Sequence, residues 1–226
     1  ISDPGVFTIA REVCPEIEVH IITQSNNVNY ETYLFWQRLG AKRVVSAREL
    51  SIKEIKDIHE NVNIEIECFV HGALCYCYSG QCFLSSYIGG RSGNRGRCAQ
   101  PCRMEYDVIQ NKKLLNPGDS KYVLSPKDIC TLNILPDIIE SGVHSLKIEG
   151  RMKRPEYVAG VVDNYRKAVD KVILKKKYNE QEGKGQLLQL FNRSGFTNAY
   201  LKSNTGKDMM SFNSPKNTGV PLGQVE

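Results

Sequence analysis

No stretch of about 18 consecutive apolar residues occurs in this 226-residue chain, which excludes a membrane-spanning helix. The opening residues, ISDPGVFTIAREVC, lack the basic-then-apolar layout of a secretory signal, so the expected address is the cytoplasm. A reducing cytoplasm disfavours structural disulfides and turns the eight cysteines toward metal binding, redox chemistry or plain burial. No GxGxxG opens the first helical stretch, which removes the main support for a dinucleotide-binding fold. HExxH is absent too, and with it the simplest zinc-peptidase design. Histidine is scarce: His20, His59, His71 and His144 are the four, and only His71 lies close enough to a cysteine, Cys75, to keep a Cys–His nucleophile open. The net charge of +5 is modest and does not by itself imply a nucleic-acid partner.

What is present alternates. EIEVHIITQ (16–24) carries β-branched alternation, NYETYLFWQRLG (29–40) has helical spacing of Tyr33, Trp36 and Leu39, and KRVVSA (42–47) is a short apolar run. Ser51 and Glu54 form a capping box for the helix SIKEIKDIHE, and NIEIECFVHG (63–72) returns to a strand. This spacing predicts βαβ units and a parallel sheet, so the expected fold class is α/β, a partial (β/α) TIM-like barrel.

Residues 104–125 read as a β excursion with turns at Asn111 and at Asn116 to Gly118. SPKDICTLNILPDIIESG reads as a capped helix ending at Gly142, HSLKIEG (144–150) as a strand, and RPEYVAGVVDNYRKAVDKVI (154–173) as a long amphipathic helix with Pro155 in its first turn. Residues 174–190, rich in Lys, Glu, Gly and Gln, read as a solvated connection. The expected division is 1–173, the later part of a barrel, and 174–226, the beginning of a C-terminal β domain, the whole being a piece of a longer protein.

Between Cys75 and Arg103 the chain packs five cysteines and four arginines into 29 residues: CYCYSGQCFLSSYIGGRSGNRGRCAQPCR. The spacing Cys75-x6-Cys82-x15-Cys98, with Cys102 after three more residues and Cys130 on the following helix, lacks the paired C-x2-C knuckles of structural zinc. Thiolates from separated positions suit an iron–sulfur cube, with zinc as the alternative. Cys14, Cys68 and Cys77 read as packing residues. In a barrel, Glu67 and His71 on the strand that delivers the cysteines, and Glu149 after the next one, could handle protons at the mouth. Arg151 and Lys153 could clamp an anion there, or the group could be an ion pair seating a helix. RSGNRGR offers Arg91, Arg95, Arg97 and flexible glycines as a cradle for phosphate or carboxylate, or a solvated flap. Tyr76, Tyr78, Phe83 and Tyr87 flank the cysteines, where they could stack on a base or shield a cluster.

ECFVHGALCYCYSGQCFLSS, then NRGRCAQPCR, SPKDIC, SLKIEGRMKRPEYV and FNRSGFTNAYL, closely resembles the bacterial and archaeal family of collagenase-like peptidases of unknown catalytic type, over nearly the whole chain. The resemblance implies a tRNA- or rRNA-hydroxylating iron–sulfur protein carrying a [4Fe–4S] cluster. Cys75, Cys82 and Cys98 match ligand positions of the family, and Cys130 is the best match for the fourth, with Cys102 as its rival. It also implies prephenate, rather than dioxygen, as a needed metabolite, tRNA or rRNA as substrate and a protein partner of the same family. Ubiquinone hydroxylation and the historical label, a peptidase, are the alternatives it leaves.

Overall fold

The computed structural model describes residues 1–226 except 117, 119, 151, 204, 205, 222 and 224–226. Its sheet grows from short apolar runs separated by helices. Helix α1 (Pro4–Val13), capped by Asp3, precedes β1 (His20–Ile21). Next come α2 (Tyr30–Arg38), β2 (Arg43–Val45), α3 (Ile52–Asn61) and β3 (Glu65–Gly72). Both halves of the capping box expected at Ser51 and Glu54 are formed, satisfying amide donors that the first turn of α3 would otherwise leave orphaned. Only His20 and Ile21 of the stretch 16–24 are strand.

β1 pairs β2 and β2 pairs β3, both in parallel. On its other side β3 pairs in parallel with β7 (Ser145–Ile148), the next strand reached through a helix, α5 (Leu135–Glu140). The result is a mixed α/β architecture with a parallel-rich sheet. Its two faces differ. Ile66, Cys68 and Val70 of β3 are buried in the core, whereas Glu65 and Glu67 point to a half-buried face and form ion pairs with Arg43 of β2.

Cys130 lies on a strand, β6 (Asp128–Cys130), and not on the helix expected for SPKDIC. β6 pairs antiparallel with the end of β3, His71 opposite Cys130, so distant pairing overrides the local helical reading of the residues before Leu132. Between β3 and β6 lies a two-stranded hairpin, β4 (Ile109–Gln110) and β5 (Lys113–Leu114), turning at Asn111 and Lys112, both with positive φ. This is the expected β excursion.

α6 (Pro155–Ile173) buries Tyr157, Val161, Tyr165 and Ala168, a stripe at helical spacing. Tyr165 Oη donates to Val70 O at 2.7 Å and accepts from Thr131 N at 2.9 Å, tying the helix to β3 and to the residue after β6. The supposed connection 174–190 contains a helix, α7 (Glu180–Leu190), anchored by fully buried Leu187. Two glycines and a charged exterior hid its helical character in the sequence. β8 (Phe196–Thr197) then pairs in parallel with β6.

Candidate metal centre and its surroundings

The cysteine-rich loop leaves the sheet at Gly72, where φ is +111° and a Cβ would stand 2.3 Å from Glu149 O. Only glycine lets β3 pass that close to the residue following β7. The loop then folds back over the ends of the parallel strands. Asn26, beyond β1, donates through Nδ2 to Ser79 O at 2.8 Å. Arg48 N, beyond β2, donates to Ser79 Oγ at 3.2 Å, and Ser79 Oγ donates to Glu49 Oε2 at 2.9 Å. Gly80 lies against the Gln24 carbonyl, 2.2 Å from where a Cβ would be. The carboxyl ends of parallel strands are where α/β sheets bind ligands, and the thiols are pinned there.

Helix α4 (Leu84–Gly89) follows Cys82, and Ser85 Oγ accepts from Ala99 N at 2.9 Å, holding the strand of chain that bears Cys98 against it. Arg103 closes the loop. Its guanidinium donates to Leu74 O at 2.9 Å, to Ser125 Oγ at 2.7 Å and to Pro126 O, joining the loop's two ends to the entry of β6. Burial lowers its pKa to about 10, with Arg193 adding to the effect and Cys102 opposing it.

Four thiols share one electrostatic neighbourhood: burial pushes Cys102 up to about 11, Arg103 opposes this, and Cys75, Cys98 and Cys82 add to it. Cys77 is also raised, by burial first and then by Cys82, to which its thiol is hydrogen-bonded. Cys130 is elsewhere. Its thiol is buried, raised mainly by desolvation, and 3.9 Å from Tyr165 Oη. Electrostatics thus couple Cys102 to Cys75, Cys82 and Cys98, while the Cys130 thiol lies on β6 against Tyr165. Among the described residues no three His, Cys, Asp or Glu side chains stand in metal-ligand arrangement. In donor chemistry the loop nevertheless fits an iron–sulfur cluster, since it offers soft thiols and few hard oxygen ligands. Cys68 is a core residue, its thiol pushed by burial to about 12, and Cys14 caps α1.

The other expected site residues are dispersed. Glu67 lies between Arg43 and Lys147, each at 3.3 Å, and accepts from Ser145 Oγ at 3.1 Å. Glu149 N donates to His71 O at 2.8 Å, and Tyr157 Oη donates to Glu149 O at 3.4 Å. Arg91, Arg95 and Arg97 are exposed, and Arg151 lies outside the described residues. Lys153 sits over the rings of Phe191 and Tyr157, and burial, partly offset by Asp128, lowers it to about 8. Sequence reasoning missed Arg103 and the buried pair Asp128–Arg193; both members of that pair lie in quoted motifs, SPKDIC and FNRSGF, but nothing local links them.

His71 is 1 % exposed, ringed by Tyr157, Tyr165 and Phe196 at centroid distances of 5.9, 5.5 and 5.5 Å, and neither ring nitrogen has a hydrogen-bond partner among the described residues. It therefore pairs with no thiol or hydroxyl. Burial first, and Lys153 second, lower its pKa from 6.5 to about 3. Below pH 6.5 the unfolded chain takes up a proton that the native state refuses, so stability falls with pH by about 1.4 kcal/mol per unit until the folded value is reached. Urea unfolding at pH 7 and pH 5 is expected to show a loss of about 2 kcal/mol attributable to His71. His71→Phe should remove that slope; parallel losses in both proteins would show that the acid sensitivity arises elsewhere.

A family model described as Peptidase family U32 matches residues 1–211. The chain is 45% identical over 175 residues to tRNA hydroxylation protein P1 of Bacillus subtilis (strain 168), an alignment covering 75% of this chain and 42% of that protein. It is 36% identical over 232 residues to the 23S rRNA 5-hydroxycytidine C2501 synthase of Escherichia coli (strain K12), covering all of this chain and 35% of the relative. Against the collagenase of Porphyromonas gingivalis (strain ATCC BAA-308 / W83) the identity is 36% over 220 residues, 91% of this chain and 52% of the relative. The chain thus spans about half or less of the length of these three relatives. No solved structure matches it. With the family pattern running from the first residue through the loop, β6 and the segment after α7, this chain belongs to peptidase family U32.

Proposed function

We propose that the protein containing this chain hydroxylates a pyrimidine of tRNA or rRNA without dioxygen, and that this chain supplies its [4Fe–4S] site. The observation that carries the reading is a five-cysteine loop pinned over the carboxyl ends of parallel strands, within the segment shared with relatives named for tRNA and rRNA hydroxylation. Cys75, Cys82 and Cys98 would hold the cluster. The fourth thiolate is Cys102 on the grouping of the loop thiols and Cys130 on the family resemblance, and alanine variants separate the two. When bound, the cluster supplies one-electron redox chemistry that no side chain here provides. Prephenate is the co-substrate that the resemblance implies.

The surrounding residues have definable tasks in this proposal. Arg103 holds the loop closed and places a cation beside the Cys102 thiolate, which burial disfavours. Glu67 holds Arg43 and Lys147 in place on the half-buried face of the sheet, and Glu149 fixes the end of β3 through its backbone. The neighbour order β1, β2, β3, β7, one face packed on helices and the other charged, supports a segment of a (β/α) barrel whose inside is that charged face. Residues 174–226 would lead from it toward a C-terminal β domain. The peptidase alternative gains nothing from His71, which pairs with no nucleophile, or from Ser85, whose hydroxyl accepts from Ala99 N.

Nucleosides from total tRNA and rRNA of cells with and without the gene, compared by mass spectrometry, test the reading. One pyrimidine heavier by a single oxygen, lost with the gene and restored by the intact protein, is the expected result. Unchanged nucleosides, together with gelatin cleavage that survives iron removal, would replace the hydroxylase by a peptidase.

A further inference from the structure

Residues 68–104 contain no aspartate or glutamate but four arginines. Arg103 is committed to closing the loop, while Arg91, Arg95 and Arg97 are exposed. In the same loop Phe83, at the N-cap of α4, and Tyr87 within it are 58% and 86% exposed, with ring centroids 6.4 Å apart at an interplanar angle of 64°. Shielding a cluster from water would bury such rings. These face solvent instead.

Helix and arginine turn form one unit. Gly90 caps α4 in the left-handed conformation, and Arg91 N donates to Ser85 O at 3.2 Å. Arg91 Nε donates to Arg97 O at 2.9 Å, and Asn94 Nδ2 donates to Gly80 O at 2.7 Å. The exposed rings and the exposed arginines thus belong to one hydrogen-bonded segment of the loop that carries the thiols.

We propose that this exposed face of α4 and the 91–97 turn is a stacking platform for an unpaired RNA segment. The inference rests on the hydroxylase reading and says which surface receives the RNA. Bases stack on Phe83 and Tyr87, and Arg95 and Arg97 pair with phosphates; a duplex would keep its base faces hidden from the rings. The charge complementarity is strong because no carboxylate of the whole stretch opposes a polyanion.

The test uses the intact protein purified anaerobically, fluorescence anisotropy with a labelled oligouridine of about ten nucleotides and a hairpin duplex, and iron content measured on every variant. Single strands are expected to bind more tightly than the duplex. Tyr87→Ala is expected to weaken single-strand binding about 10-fold and Tyr87→Trp to retain it, with iron unchanged in both. Arg95→Gln should reduce the salt dependence by about 0.7 in log–log slope. If Tyr87→Ala and Arg95→Gln bind and hydroxylate RNA like the wild type, the platform is overturned and the hydroxylase stands. Loss of self-association in Tyr87→Ala, with RNA binding intact, would overturn it in favour of a second copy as the occupant. If the wild type neither binds nor hydroxylates RNA, the hydroxylase reading fails and the platform with it.

Discussion

Alanine at Cys75, Cys82 or Cys98 of the intact protein is expected to reduce bound iron and acid-labile sulfide from about four of each per chain to near zero, and the hydroxylated nucleoside with them. In the proposed site each of these thiolates would be a soft anionic ligand of the cluster, and no carboxylate of the loop could replace it. Losing one donor would leave the proposed cluster short of a ligand. Cys14→Ala, at the cap of α1, should leave iron and activity unchanged. Cys102→Ala and Cys130→Ala decide the fourth ligand, since the variant that loses iron names it. Wild-type protein that holds neither iron nor sulfide after anaerobic reconstitution would end the cluster hypothesis for this loop.

Arg193→Met should be the most damaging single change to stability outside the sheet core. Asp128 is 1 % exposed; its Oδ1 accepts from Arg193 Nη1, and its Oδ2 accepts no hydrogen bond from the described residues. Removing the guanidinium leaves a buried carboxylate without its direct partner, a change that costs about 3–5 kcal/mol. That is a large part of the 5–15 kcal/mol or so by which domains are usually stable. Arg193 Nε also donates to Pro215 O at 2.8 Å, so the segment around residue 215 should become protease-sensitive at the same time. Neutralising both partners, Asp128→Leu with Arg193→Met, is expected to recover much of the loss, because it leaves no buried charge behind. Urea unfolding of the three variants measures this; a loss below about 1 kcal/mol in Arg193→Met would mean that water reaches Asp128 and the pair is not structural.

Elements stabilised by neighbours in sequence were legible. Ser51 and Glu54 cap α3 three residues apart, and the stripe of Tyr157, Val161, Tyr165 and Ala168 in α6 repeats with the helix itself. β3 was visible as an apolar run, and the parallel sheet followed from its alternation with helices. SPKDIC was misread because its strand exists through pairing with the distant end of β3 and with β8, and α7 because Leu187 is its main buried anchor.

The candidate site divides in the same way. The sequence by itself determined that five thiols and four arginines occupy one loop after a strand, and that no zinc knuckle or HExxH is available to them. Tertiary structure alone decided that Cys102 shares the field of Cys75, Cys82 and Cys98 while Cys130 faces Tyr165. It also decided that Glu67 is held by Arg43 and Lys147, and that Arg193 finds Asp128 across 65 residues. Caps and helical stripes are settled within a turn or two of chain, so their residues announce them. The partner of a buried charge or thiol is settled by which distant segments the sheet brings side by side, and no local spacing records that.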